Sequence, residues 1–237
     1  MKRIFAAFAV VLILSPAARV EAADNPLTVV ELFTSQGCSS CPPADELLGE
    51  LQQRDDVLPL SVHVDYWDYI GWKDPFAQPH HTDRQRQYSQ RFELRYVYTP
   101  QMVVHGAFQA VGANRAEILD QIAKAKHLPA VAAKLTRTES GVQLDLPATV
   151  VNGDVEIVSI FADRKHQTKI GSGENGGRTL SYYNVVREMK AVGVWQGEAR
   201  RMTVEMAETG GDICAVILQM AHSRKIIGAA RIDLDGR

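Results

Sequence analysis

Two cysteines stand two residues apart in the stretch Thr34-Ser35-Gln36-Gly37-Cys38-Ser39-Ser40-Cys41-Pro42-Pro43. Such a pair can form a disulfide staple, bind a soft metal through two thiolates, or pass electrons by thiol–disulfide exchange. Its surroundings favour exchange. Leu27 to Phe33 reads as a buried strand, and Ala44 to Leu51 sets Leu47, Leu48 and Leu51 on one helix face. The pair therefore sits at a strand-to-helix junction, with Cys38 just outside the helix and Cys41 in its first turn. The unpaired N–H groups and positive partial charge of a helix N-terminus favour a thiolate there. Cys38 is accordingly read as nucleophile and leaving group, and Cys41 as the resolving thiol. Pro42 and Pro43 suit a first helical turn, where the missing N–H costs nothing. A four-cysteine zinc site is excluded, because the third cysteine, Cys214, stands alone and far away. Two alternatives keep the same cysteines: a periplasmic protein handling copper or another soft metal, and a non-catalytic binding module with a structural disulfide.

Other residues could join this chemistry. Trp67, Asp68, Tyr69 and Trp72 follow a strand end, where open α/β sheets place ligand sites, and could wall an apolar peptide beside the dithiol or serve as core. His63 reads as a satisfied sheet residue, His80-His81 as a solvated loop and His105 as part of a turn, so no resident metal is expected. Gly171 to Gly177 resembles a phosphate loop only in its glycines, and the dinucleotide reading fails for want of a following Lys-Ser/Thr. Cys214, within Ile213-Cys214-Ala215-Val216, reads as a buried inert thiol.

The elements that must position the dithiol can be read in order. Val57 to Tyr66 is a second strand, parallel to the first, which makes a βαβ unit. Thr82 to Phe92 carries Arg84, Gln85, Arg86, Gln87, Gln90 and Arg91 without a wide apolar stripe, and is expected as an exposed, inserted helix. Pro100 enters a short apolar strand, and Phe108 to Val111 pairs back as a hairpin. Asn114 with Glu117 forms a capping box that opens a helix through Lys126, with Ile118, Leu119 and Ile122 on one face. From about Pro129 seven short alternating runs follow: 131–137, 141–146, 155–162, 180–189, 200–206, 213–220 and 225–234. Turns such as Asn152-Gly153-Asp154 and Gly210-Gly211-Asp212 separate them, which suggests an antiparallel β-sandwich.

The chain has 237 residues and a formal net charge of −2, with acidic and basic residues interspersed. No basic stripe points to nucleic acid and no charge block to a tail. Three cysteines in so long a chain make no disulfide framework, so stability must come from a core. Met1-Lys2-Arg3, the apolar run Ile4 to Leu14 and the small residues before Ala22 read as a signal peptide over 1–22. That run is short for a bilayer span, and no other stretch offers one, so no stable membrane insertion is expected after cleavage. A periplasmic or secreted protein of a bacterial envelope is expected, where cysteines meet oxidising conditions.

The order β-(Cys-x-x-Cys)-α-β-insert-Pro-β-β-α resembles the thioredoxin fold. The resemblance implies that Pro100 is the cis-proline facing the dithiol, that Thr99 presents its backbone to a partner chain, and that Glu31 is a buried proton-relaying acid. The chain departs from that family in lacking a Trp before the first cysteine and in its 67–94 insert. A closer resemblance is carried by Phe33 to Asp45, Val64-Asp65-Tyr66-Trp67-Asp68, Tyr98 to Val104 and Asn184-Val185-Val186-Arg187. These resemble the secreted thioredoxin-like family catalogued as domain of unknown function 1223, across nearly the whole mature chain. The expectation is an α/β thioredoxin-like domain with an insert over 26–128, then a β-rich, sandwich-like domain over 129–237. The expected activity is an exported thiol–disulfide oxidoreductase of unreadable direction. Cys38, Cys41, Pro100, Thr99 and Glu31 would be catalytic, and Trp67, Tyr69, Trp72 and Gln101 would bind substrate. Protein thiols or disulfides would be its clients, with an envelope redox partner and no cofactor. Gly171 to Gly177 would be a mobile loop able to fold over the thioredoxin-like half.

Overall fold

The first strand, β1 (Thr28–Thr34), is buried along its whole length, which explains an apolar run without alternation. The computed structural model describes residues 26–139 and 141–234, and the expected leader over 1–22 lies outside the described residues. After β1 come α1 (Pro42–Leu51), β2 (Val57–His63), α2 (Pro79–Arg91), the hairpin β3 (Gln101–Val104) and β4 (Phe108–Val111), and α3 (Arg115–Ala125). Seven strands follow: β5 (Lys134–Thr138), β6 (Gly141–Leu146), β7 (Val155–Lys169), β8 (Thr179–Trp195), β9 (Arg200–Val204), β10 (Ile213–Met220) and β11 (Ile226–Asp233).

The result is mixed α/β, dominated by one eight-stranded sheet in the order β11-β10-β7-β8-β2-β1-β3-β4. β1 and β2 pair in parallel from Thr28↔Val57 to Thr34↔His63, while β3 pairs antiparallel to β1. Residues alternate between its faces. Val30, Leu32 and Met102 bury the apolar faces of α1 and α3, whereas Val29, Phe33, Leu60 and Val103 face Tyr88 of α2. Asn114 caps α3, its side chain accepting from the Glu117 N–H. No helix among the described residues is long and apolar enough to cross a membrane.

The strands after residue 129 divide between two packed sheets. β7, β8, β10 and β11 continue the first sheet, and β5, β6 and β9 form a three-stranded sheet packed on it through Val142, Leu144, Ile157, Phe161 and Val216. The seam is narrow: β2 and β8 share the single pair Ser61↔Val185. Pro59 explains this, because its carbonyl is turned to β8 and it has no N–H to donate there. Asn184, held at φ 46°, supplies a side-chain amide to that carbonyl at 2.8 Å instead.

One expectation needs correction: α2 is not an exposed helix. His81, Thr82, Arg84, Gln85, Tyr88 and Ser89 are buried. The buried stripe is polar, with Arg84, Gln85 and Tyr88 paired inside the protein, so a search for apolar periodicity passes over it. Arg84 pairs with Glu31 (Nε–Oε1 2.5 Å, Nη2–Oε2 3.1 Å), and Gln85 donates to Gln101 Oε1 (2.9 Å) and the Tyr98 carbonyl (2.7 Å). His81, expected in a solvated loop, lies inside the protein with Nδ1 2.9 Å from the His63 carbonyl, and burial pushes its imidazole down to about 3.

Candidate functional site

Cys38 and Cys41 are joined in a disulfide with their Cα atoms 5.4 Å apart. Cys41 occupies the cap position rather than the first turn, and Pro42 follows it as the first helical residue. The loop is a succession of tight turns, Cys38 N–H donating to Ser35 O (3.1 Å) and Cys41 N–H to Cys38 O (3.2 Å). Ser40 Oγ lies 3.4 Å from Cys38 Sγ and 3.5 Å from the Thr99 carbonyl, which brings Thr99 and Pro100 beside the dithiol. The Thr99–Pro100 peptide is cis. Gly112 makes this approach possible, because a methyl there would come within 3.0 Å of both Ala44 Cβ and Pro100 Cβ.

Both cysteines are covered, Cys38 being 1% exposed and Cys41 0%. Only Ser39 and Ser40 of this loop reach the surface. Two tryptophans flank it. Trp67 stands against Gly37 and donates its indole N–H to Thr99 Oγ1 (2.7 Å), and Trp72 donates to Gln36 Oε1 (2.8 Å). The β7–β8 turn closes the top. Asn175 Nδ2 donates to Gln36 O (3.0 Å) and Cys38 O (2.9 Å), while Glu174 accepts from the Ser39 N–H (3.3 Å).

Beneath the loop lies a cluster of ionisable groups that apolar periodicity does not reveal. Asp45 is one turn beyond Cys41, on the same helix face. Its carboxylate accepts from Thr34 Oγ1 at 2.9 Å. Thr34 is the cross-strand partner of His63, whose Nδ1 lies 2.7 Å from Asp74 Oδ2. Asp74 Oδ2 also accepts from the Gln36 N–H (2.8 Å), which ties the ion pair to the loop that carries Cys38. Burial pushes Asp45 up to about 7, against the opposing pull of the His63 charge and the Thr34 hydroxyl. Burial would depress His63, but the charge and hydrogen bond of Asp74, and then Asp45, hold it above its ordinary value. Burial would raise Asp74, and His63 with the N–H groups of Gln36 and Phe76 pulls it below the usual carboxylate range. Tyr182 edges against His63 and Phe76, and burial raises its phenol. A cleft of about 240 Å³ between α1 and β8, lined in part by Asp45, Glu46, Ser181 and Tyr183, adjoins this cluster. The signal available in the sequence was the spacing Cys41, Asp45, Leu48, which puts one carboxylate on the buried face behind the second cysteine.

The structure brings some expected residues together and separates others. Thr99, Pro100, Trp67 and Trp72 surround the dithiol. Tyr69 points outward, 81% exposed. Gln101 is buried and spent on Gln85 and Gln109, so it is not free to meet a ligand. Glu31 lies on the sheet face opposite α1, locked between Arg84 and Tyr88, whose hydroxyl donates to it at 2.5 Å. Asp45, not Glu31, is the buried acid on the cysteine side. Cys214 is fully buried, its thiol pushed by burial to about 12. Among the described residues no group of three or more His, Cys, Asp or Glu side chains is placed to hold a metal ion.

Residues 29–219 match the family model described as protein of unknown function DUF1223. A crystal structure of a structural-genomics target from Agrobacterium tumefaciens is similar, with a TM-score of 0.80, 33% identity, and coverage of 91% of this chain and 98% of that one. HBP35 of Porphyromonas gingivalis shares the fold at a TM-score of 0.59 and 18% identity, covering 90% of this chain and 76% of its own. No curated protein matches.

Proposed function

The chain belongs to the family of proteins of unknown function DUF1223, and from the site it carries we propose that it is an exported thiol–disulfide oxidoreductase on a thioredoxin-like framework. The observation that carries the reading is the Cys38–Cys41 disulfide at the cap of α1, with the Thr99–Pro100 segment against it. The N–H groups at the start of the helix favour a thiolate at Cys38. Clients are protein dithiols or disulfides of the periplasm or the secreted milieu, and an envelope redox partner returns the pair to its starting state.

In the oxidising direction, a client thiolate attacks Cys38 Sγ along the S–S axis. The S–S bond breaks, Cys41 leaves as a thiolate, and a mixed disulfide forms between client and Cys38. Asp45, one turn from Cys41 and pushed by burial to about 7, is partly protonated near neutrality and can give Cys41 its proton. A second client thiolate then attacks the client sulfur of the mixed disulfide, releasing Cys38 as a thiolate. The client loses two electrons and the Cys38–Cys41 pair gains them; reduction of a client disulfide runs the same steps backwards.

Cys41→Ala tests this reading. With the resolving thiol gone, client proteins should accumulate as reducible adducts on Cys38 in the exporting cell, and the absence of such adducts would refute it. The burial of both sulfurs favours a second reading, a structural staple. The reduction potential separates the two. A value between about −120 and −270 mV marks a working redox pair, and one far below about −300 mV marks a staple.

A further inference from the structure

A redox pair with Cys38 only 1% exposed poses a steric problem, since in-line attack by a protein thiol needs an open path to the sulfur. The obstacle is local. In the turn from Gly171 to Gly177 every residue is exposed except Asn175. Asn175 is held by its side chain: Nδ2 donates to the carbonyls of Gln36 and Cys38, and Oδ1 accepts from Arg178 at 2.8 Å. Around it the contacts are few. Ser172 Oγ donates to the Gly71 carbonyl, and Gly173, at φ +74°, leaves room for Trp72 and Ile70. The turn's own backbone bonds, Gly176 N–H to Gly173 O (3.0 Å), Gly177 N–H to Ile170 O (2.9 Å) and Arg178 N–H to Asn175 O (3.2 Å), lie within it and move with it, so lifting it off the loop breaks few contacts and has a small free-energy cost.

The hydrogen bonds made by this turn have a chemical meaning. Asn175 supplies a donor to the Cys38 carbonyl, and Glu174 supplies an acceptor for the Ser39 N–H. One residue of extended polypeptide offers the same two functions, an N–H and a C=O. We propose that the 171–177 turn is an autoinhibitory cover, latched by Asn175, which an extended client polypeptide displaces by taking over the hydrogen bonds to Cys38 and Ser39. The inference rests on the exchange reading above and names its substrate as an unfolded or loop segment rather than a small thiol.

The test uses the full oxidised chain and a short synthetic peptide with a single cysteine. The rate at which the peptide opens the Cys38–Cys41 bond is followed against peptide concentration. In the wild type it should level off at a ceiling set by opening of the cover. Asn175→Ala should lift that ceiling roughly ten- to a hundredfold, because two hydrogen bonds to carbonyls are lost, each worth roughly a factor of three to ten. Gly173→Ala loosens the cover at another contact, since its added Cβ meets Trp72 Cβ at 3.2 Å, and should lift the ceiling as well. A rate linear in peptide, or a ceiling that neither substitution moves, overturns the cover. Catalysed exchange between the peptide and glutathione disulfide is scored in the same samples. Turnover without a ceiling removes the cover alone and leaves the exchange reading standing. No turnover in any of the three proteins overturns both.

Discussion

Replacing Asp45 by Asn removes one ionisable group and keeps the shape and the acceptor for Thr34 Oγ1. The magnitude follows from the position of this carboxyl, which burial moves from an ordinary 3.8 to about 7. A group whose folded value is raised stabilises the folded state at low pH, and that contribution is lost as pH rises through the folded value. The window therefore runs from about pH 4 to pH 7. At about 1.4 kcal/mol per unit over roughly three units, the wild type gives up ~4 kcal/mol across it, as an upper bound. The amide of the Asp45→Asn variant does not titrate. His63 and Asp74 titrate in both proteins, so the difference between the two curves isolates Asp45 apart from its coupling to His63. Urea unfolding of the oxidised proteins at half-unit steps from pH 4 to pH 8.5 is the assay. The two proteins should have similar stabilities near pH 4, and Asp45→Asn should be the more stable by several kcal/mol at pH 8. Parallel curves would refute the assignment of Asp45 as a buried acid poised near neutrality. A wild type that gains on the variant as pH rises would refute it more strongly, since that is the signature of a carboxylate stabilised by its charge.

Three further outcomes are expected. Glu31→Gln leaves Arg84 as an uncompensated buried cation and should cost about 3–5 kcal/mol in urea unfolding, much of which the double change Glu31→Gln/Arg84→Met should restore; equal stability of single variant and wild type would contradict the buried pair. Gly106→Ala drives a Cβ into the Arg224 carbonyl at φ +61° and should lower stability by more than about 2 kcal/mol, read as a fall in Tm of at least about 5 °C; an unchanged Tm would show that the turn gives way. In the reduced protein, iodoacetamide at mildly acidic pH should label Cys38 before Cys41, and equal rates would remove the nucleophile assignment.

Much of this arrangement is legible in the sequence where structure follows local pattern. The strand before Cys38, the helix after Cys41, the Asn114–Glu117 cap and the seven later strands all announce themselves through period, turn residues or caps. What escapes is what depends on burial of polar groups. The α2 stripe His81, Arg84/Gln85, Tyr88 has helical spacing but no apolar signature, so its burial shows only once Glu31 and Gln101 are seen to answer it. Asp45 looks like an ordinary first-turn acid until Thr34 and His63 are found beside it. The continuity of the large sheet is equally silent, because it passes through the single pair Ser61↔Val185, with nothing local in either segment to mark it. The glycine-rich turn shows in sequence that it can bend, but not that Asn175 pins it.

The latch has a consequence for the life of the protein before it is finished. Asn175 lies 137 residues beyond Cys38. At about 5–20 residues per second, a ribosome delivers the one on the order of ten seconds after the other. For that interval the cover proposed above is absent from the two thiols. If the cover restricts access as proposed, maturation has a chronology: an early period in which the sulfurs lack it, ended when the second half of the chain arrives. Slowing translation between the two segments would lengthen the first period without altering a single atom of the finished molecule.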